Sequence, residues 1–177
     1  EYRIAKLVID PVMAAKGGAR LIGDDALESL VSDLLPLALV VTPNVPEAEV
    51  LTGMTISSPA EMKEAARKIR RLGVSNVIVK GGHLPGEARD ILFDGSDYYE
   101  FGSERIETRD THGTGCTFSA AIATGLARGK TLYDAVREAK DYISEVIRCA
   151  WRIGKGHGPT NHAAPLFNAL DRCGWKR

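Results

Sequence analysis

Three short apolar runs, KLVID (Lys6 to Asp10), LALVVTPN and NVIVKGG, break off at polar or glycine residues and are separated by stretches of helical periodicity. Strands alternating with helices in this way require crossover connections, which are right-handed as a rule. They build an α/β domain around a mostly parallel sheet with helices on both faces. In such sheets the ligand crevice lies beyond the carboxyl ends of the strands. Asp10, Thr42-Pro43-Asn44 and Lys80-Gly81-Gly82 stand at those ends and are the first functional candidates.

The helical stretches carry their own punctuation. GDDALESLVSDLLP spaces Leu27, Leu30, Val31, Leu34 and Leu35 along one face and is predicted to stop at Pro36. A short helix is expected near Glu47 to Leu51. Ser58-Pro59-Ala60-Glu61 reads as a capping box with proline at the first helical position, opening a helix that runs to Gly73. The stretch from Ala88 to Asp110 alternates like antiparallel strands joined by a turn at Asp94-Gly95. One helix begins inside HGTGC. Another opens at Thr131, with Asp134 three residues on, and should bury Leu132, Val136, Ala139, Ile143, Val146, Ile147 and Ala150.

Composition narrows the classes. Basic and acidic residues balance at 23 each, and the densest basic run, KIRRLG, lies on the wet face of an amphipathic helix. A nucleic-acid or membrane-surface partner is not expected from such a surface. No apolar stretch reaches the roughly 18–20 residues of a membrane span, and no signal peptide opens the sequence. Cys116, Cys149 and Cys173 are odd in number and scattered, which argues against a disulfide framework or a structural zinc site and favours a reducing cytoplasm.

Two phosphate-binding patterns fail on inspection. GTGCTF lacks the third glycine of a dinucleotide fingerprint and follows no apolar strand, so hydride transfer is disfavoured. GLARGKT has three residues between its glycines where a P-loop has four, and it lies between helices as a C-cap glycine followed by an N-cap threonine. HGTGC is different. Gly113 and Gly115 allow backbone N–H groups to converge at the positive end of a helix, which is a ready anion site. On the residues alone, a tight turn before a helix packed on the sheet through Ala120, Ala121 and Ala123 fits as well. A lone cysteine is usually an inert small hydrophobe, but a helix N-terminus is expected to favour the Cys116 thiolate. Cys149 lies on an apolar stripe and reads as packing, and Cys173 has no company.

Together, DPVM at Asp10, TPNVPEAE at Thr42, VKGGH at Val79, DTHGTGC at Asp110 and GKGHGPTNH at Gly154 resemble the hydroxymethylpyrimidine and phosphomethylpyrimidine kinases of thiamine biosynthesis. That family belongs to the ribokinase-like superfamily. The resemblance covers nearly the whole sequence. It implies a three-layer αβα ribokinase-like fold with a mostly parallel central sheet, incomplete at the N-terminus. Residues 1–177 would be the C-terminal part of a single kinase domain. A segment bearing early strands and much of the pyrimidine pocket would precede them.

By the same resemblance, Gly113, Thr114 and Gly115 form the anion hole for the transferred phosphoryl group, and Cys116 stands where most of the superfamily has an aspartate base. Asn44 and Glu47 make the family's NxxE motif, with Glu47 and Asp10 serving a magnesium ion, Lys80 near the nucleotide phosphates and Val12 beside the pyrimidine. ATP is the implied phosphoryl donor and magnesium the implied cofactor. The acceptors would be the pyrimidine alcohol and its monophosphate, and the complete protein would be a homodimer. No roles within Gly154 to His162 are assigned. A pyridoxine or pyridoxal kinase shares nearly all these motifs. A non-catalytic nucleotide-binding domain would have no use for Cys116 and Glu47 together.

Overall fold

The computed structural model describes residues 4–15, 17–152 and 154–172, so Cys173 lies outside the described residues. Strands β1 (Val8–Ile9), β2 (Val40–Val41) and β3 (Asn76–Lys80) run parallel. Strands β4 (Ala88–Phe93) and β5 (Tyr98–Ser103) form the expected hairpin, and β4 joins β3 antiparallel. The result is one mixed sheet in the order β1-β2-β3-β4-β5.

Period-2 alternation sorts the strand side chains onto two faces. Val41, Val77, Val79, Ile91 and Phe93 face one core, which helices α2 (Val45–Thr52) and α3 (Pro59–Arg70) cover through Ala48, Met62, Ala66 and Ile69. Val40, Ile78 and Leu92 face the other, beneath α4 (Thr114–Ala127) and α5 (Leu132–Arg148), which supply Phe118, Ile122, Val136 and Ile143. Helices therefore lie on both faces of the sheet. No helix among the described residues is long and apolar enough to cross a membrane.

Local signals set the helix ends. Ser58 caps α3 by accepting from the Glu61 N–H at 3.3 Å. The return arm is displaced by one residue: the Glu61 carboxylate accepts the Ser57 amide at 2.7 Å and both serine hydroxyls. These donors hold the Glu61 carboxyl below the ordinary range. Helix α3 stops at Arg70, and Gly73 follows with φ of 105°.

The first predicted helix departs from its pattern. It is regular only in α1 (Asp24–Ser29), then widens into a π-helical stretch over Leu30–Leu34 and tightens to 3₁₀ over Leu35–Leu37. Pro36 has no N–H to donate and its ring crowds the preceding turn. The chain rewinds instead, with the Leu35 N–H reaching back to Leu30 O. Of the five expected apolar contacts only Leu35 is fully buried, and Leu34 is exposed. A last helix, α6 (Ala164–Arg172), was not anticipated from the sequence.

The alanines of α4 supply only the margin of its packed face, with Ala121 partly buried against the core and Ala123 half-buried. Ala120 is exposed, whereas Phe118, Ser119, Ile122, Gly125 and Leu126 are buried. Gly125 marks the closest approach to α5, since a Cβ there would stand 2.8 Å from Ala135 Cβ and 3.1 Å from its Cα. Overpacking of about 1–3 kcal/mol should outweigh the up to ~1 kcal/mol that replacing a helical glycine returns. Gly125→Val is therefore expected to lower the urea midpoint without changing the slope, and a midpoint at or above wild type would remove this contact from the account.

Candidate active site

Parallel strands of similar register deliver their carboxyl ends to one edge, and the residues just past those ends meet there. The ladder continues beyond β2 and β3 as an isolated parallel bridge between Asn44 and Lys80, with the Lys80 N–H donating to Pro43 O at 2.8 Å. This sets the Lys80 side chain toward β1. Its Nζ lies 2.8 Å from Asp10 Oδ1, and each side chain of the pair is 14% exposed.

Helix α4 starts against this pair. Gly113, its N-cap, has φ of 83° and gives no side-chain cap. The first helical bond is the Thr117 N–H to Gly113 O at 2.9 Å. The N–H groups of Thr114, Gly115 and Cys116 consequently have no acceptor within the helix. Thr114 Oγ1 turns away to donate to Thr111 O at 3.1 Å. A Cβ on Gly115 would stand 3.2 Å from Lys80 Nζ and 3.8 Å from Asp10 Oδ2. A side chain there would have to displace the Lys80 ammonium by a few tenths of an ångström. An ammonium and a helix N-terminus aimed at one point can hold an anion.

Cys116 is exposed on the first turn, and the nearby Asp10 carboxylate acts on its thiol. The expected thiolate is not favoured. Burial of the sulfur, then the Asp10 charge and hydrogen bond, push the thiol above its ordinary value, and only Lys80 and the local backbone pull the other way. Desolvation of the sulfur, and after it the charge of Asp10, outweigh the helix N-terminus.

Glu47 is buried and closes a capping box on α2. Its N–H donates to Asn44 Oδ1 at 2.9 Å, and its Oε2 accepts the Asn44 N–H at 2.8 Å. Burial raises its carboxyl above the ordinary range. The Asn44 amide and the Lys80 charge oppose that rise, while the Asp10 charge adds to it. The amide oxygen of Asn44 is committed to this cap, which leaves its NH2 for any ligand. Val12 follows Asp10 by two residues, is 39% exposed, and makes its backbone bond to Asp10 O at 2.9 Å. Among the described residues no cluster of three or more metal-type ligands occurs. Magnesium keeps several waters and needs only one or two carboxylates. The Asp10 and Glu47 carboxylates, one of them buried at a cost, fit such an ion.

The sequence places Thr42 at a strand end, but its contacts, the part of Ser119 and a third feature escape it. Thr42, fully buried, lies 3.2 Å from Asp10 Oδ1 and 2.8 Å from Ser119 Oγ, and Ser119 Oγ lies 3.1 Å from Gly115 O. The only signal was the four-residue step from Gly115 to Ser119, which puts both on one helix face. The third is the role of GKGHGPTNH, which straps the loop before α4. Gly158 donates its N–H to the buried Asp110 carboxylate at 2.8 Å, the His112 N–H donates to Gly158 O at 3.1 Å, and His157 Nδ1 lies 3.0 Å from Arg109 O. No side chain fits at Gly158, where a Cβ would meet Asp110 Oδ1 at 2.5 Å and Trp151 O at 2.6 Å. A hollow of about 530 Å³ lined by Glu107, Thr108, Arg109, Asp110 and Arg152 adjoins the strap, and none of the predicted site residues lines it.

Comparison with known proteins adds the family context. A family model described as phosphomethylpyrimidine kinase matches residues 1–161. Over 173 residues the chain is 54% identical to the thiamine biosynthesis bifunctional protein ThiED of Geobacter sulfurreducens, covering 97% of this chain and 35% of that protein. It is 45% identical over 173 residues to the hydroxymethylpyrimidine/phosphomethylpyrimidine kinase of Bacillus subtilis, covering 97% and 64%. The solved ADP complex of Bacillus subtilis pyridoxal kinase superposes with a TM-score of 0.87 at 40% identity, over 94% of this chain and 63% of that one. The chain thus spans between 35% and 64% of the length of these relatives.

The raised Glu47 carboxyl has a stability consequence. A folded-state value above the unfolded one means that protonation favours the fold. That contribution is fully present below the unfolded glutamate pKa and is lost as pH rises through the higher folded value. Glu47→Gln keeps an oxygen for the Asn44 N–H and removes the charge. Without magnesium, its stability should gain on wild type as pH rises across that window. Urea midpoints from pH 4 to 8 that run parallel for the two proteins would contradict this.

Proposed function

The chain belongs to the phosphomethylpyrimidine kinase family, and on that premise we propose that it takes part in ATP-dependent phosphorylation of 4-amino-5-hydroxymethyl-2-methylpyrimidine and of the resulting monophosphate, in thiamine biosynthesis. One observation carries the proposal: the Lys80 ammonium and the first turn of α4 converge beside Asp10, with Cys116 on the same turn.

Phosphoryl transfer spreads charge over the equatorial oxygens of the moving group, so catalysis is chiefly positioning and electrostatics. The N–H groups of Thr114, Gly115 and Cys116 are fixed before that charge develops. Removing one such donor costs about 2.7–4 kcal/mol of barrier in comparable sites. Lys80 adds a positive charge near the nucleotide phosphates, and Asn44 can offer its free NH2 to them. Val12 borders the acceptor. A divalent cation held by Asp10 and Glu47 would supply positive charge to the phosphates and offset the carboxylate field that keeps the Cys116 proton in place. To act as a base the Cys116 thiol must first release its own proton to solvent; the resulting thiolate sulfur can then accept the proton of the pyrimidine alcohol as the alcohol oxygen attacks the phosphoryl group.

The scattered cysteines and balanced charge fit a cytoplasmic enzyme, and a homodimer is carried by the family resemblance. A second reading is phosphorylation of pyridoxal, favoured by the superposition on a pyridoxal kinase. Assays with ATP and magnesium, comparing the pyrimidine alcohol, its monophosphate and pyridoxal as acceptors, separate the two. Transfer to both pyrimidines is expected; transfer to pyridoxal alone would replace the first reading by the second.

Cys116→Ala should affect the two transfers unequally. The alcohol must lose a proton at or near its transition state, and general-base help is typically worth about 10²–10⁴-fold. The monophosphate has a second pKa near 6, so at neutral pH it presents an oxygen already free of a proton. Single-turnover rates should therefore fall far more for the alcohol. Equal losses would mean that Cys116 shapes the site and moves no proton.

A further inference from the structure

Lys80 enters the site from a turn that is held from behind by charge. The next residue, Gly81, donates its amide to Asp90 Oδ1 at 3.0 Å, and the other oxygen of that carboxylate accepts from Lys140 Nζ at 2.8 Å. Lys140 comes from the middle of α5 and also donates to Ala88 O at 2.7 Å. Both side chains are 9% exposed, and neither has a part in the chemistry above. Gly81 is wedged: a Cβ there would stand 2.0 Å from Arg89 O and 2.9 Å from Met62 Cε. Asp90 is moreover the register partner of Lys80 across β3 and β4.

Stability alone does not account for an ion pair in this place. Desolvating two charges costs about as much as their attraction returns, and an apolar pair of similar volume is often equally stable or better. A carboxylate does what no apolar group can: it accepts from an ammonium and an amide at once. We propose that Asp90 and Lys140 are positioning residues for phosphoryl transfer, fixing the Gly81 amide and through it the Lys80 ammonium against Asp10. The proposal rests on the phosphotransfer reading for its kinetic arm only.

The test compares two double variants of the full chain. Asp90→Leu/Lys140→Met removes the charges and the acceptor together, and Asp90→Asn/Lys140→Met removes the charges but leaves an oxygen for Gly81. In the first, the thermal midpoint should stay near wild type while the Gly81 amide exchanges its hydrogen roughly tenfold or more faster. The Lys80 amine should react faster with acetic anhydride, read by mass spectrometry. The kcat should fall on the order of 10–10²-fold with little change in KM for the alcohol. The second variant should recover most of each loss. A purely structural pair would shift the midpoint and leave Gly81 exchange, Lys80 reactivity and kcat of the folded protein unchanged, and that result overturns the proposal.

Should the first variant not fold, the second carries the test: loss of Gly81 protection in a folded Asn/Met protein overturns it, and retained protection supports it. In the unsubstituted chain the Gly81 amide must itself be among the slow exchangers, and fast exchange there overturns the proposal with no variant at all. Absence of any phosphoryl transfer by wild type would instead sink the functional reading, leaving the exchange and acylation arms to decide the positioning role.

Discussion

The pairing of Lys80 with Asp10 at 2.8 Å is the contact around which the rest of the site is arranged. It joins the ends of two strands that are not neighbours, across β2, and it stands where water is mostly excluded. Removing either partner would leave the other a poorly solvated charge. The surrounding residues follow from it. Gly115 is tight for a side chain because the ammonium is there, and Thr42 approaches the same carboxylate oxygen. The Cys116 thiol and the Glu47 carboxyl both feel the charges of the two partners.

How much of this was legible depended on the range of the interaction. Patterns decided within one element were readable: the alternation of Val77, Ile78 and Val79, the Asp94-Gly95 hairpin, and the Ser58 and Thr131 caps. Asp10, Asn44 and Lys80 could be placed at one sheet edge because parallel strands share a direction. What failed depended on a second element. Leu27 to Leu35 obey a helical period, yet Pro36 forces a rewinding that turns Leu34 outward. Ala120 has the right size for close packing and the wrong rotation about the helix. A cysteine at a helix start is expected to ionise readily, and desolvation together with a carboxylate 106 positions earlier reverses that.

The buried polar ties divide into those that touch the candidate site and those that hold it from outside. Asp110 with Gly158 and Asp90 with Lys140 belong to the second kind, and each uses a carboxylate to fix a backbone amide beside a functional loop. Neither could be paired from the sequence, since the partners lie 48 and 50 positions apart. Glycine marks both contacts. At Gly81 and at Gly158 the main chain comes closer to its neighbour than any side chain would allow.

The hydroxyls of Thr42 and Ser119 have a consequence of their own. Each carries one hydrogen, yet between them they face Ile9 O, Asp10 Oδ1, Gly115 O and each other. Two hydrogens cannot serve all these acceptors, so several orientations share the same heavy-atom positions. In one, Ser119 donates to Thr42 and Thr42 donates to Asp10; in another, Ser119 turns to Gly115 O and Thr42 to Ile9 O. The first places a dipole pointing at the Asp10 carboxylate and the second takes it away. Rotation of two hydroxyls thus lets the floor of the site change its polarity as charge arrives or departs, with no movement of the backbone.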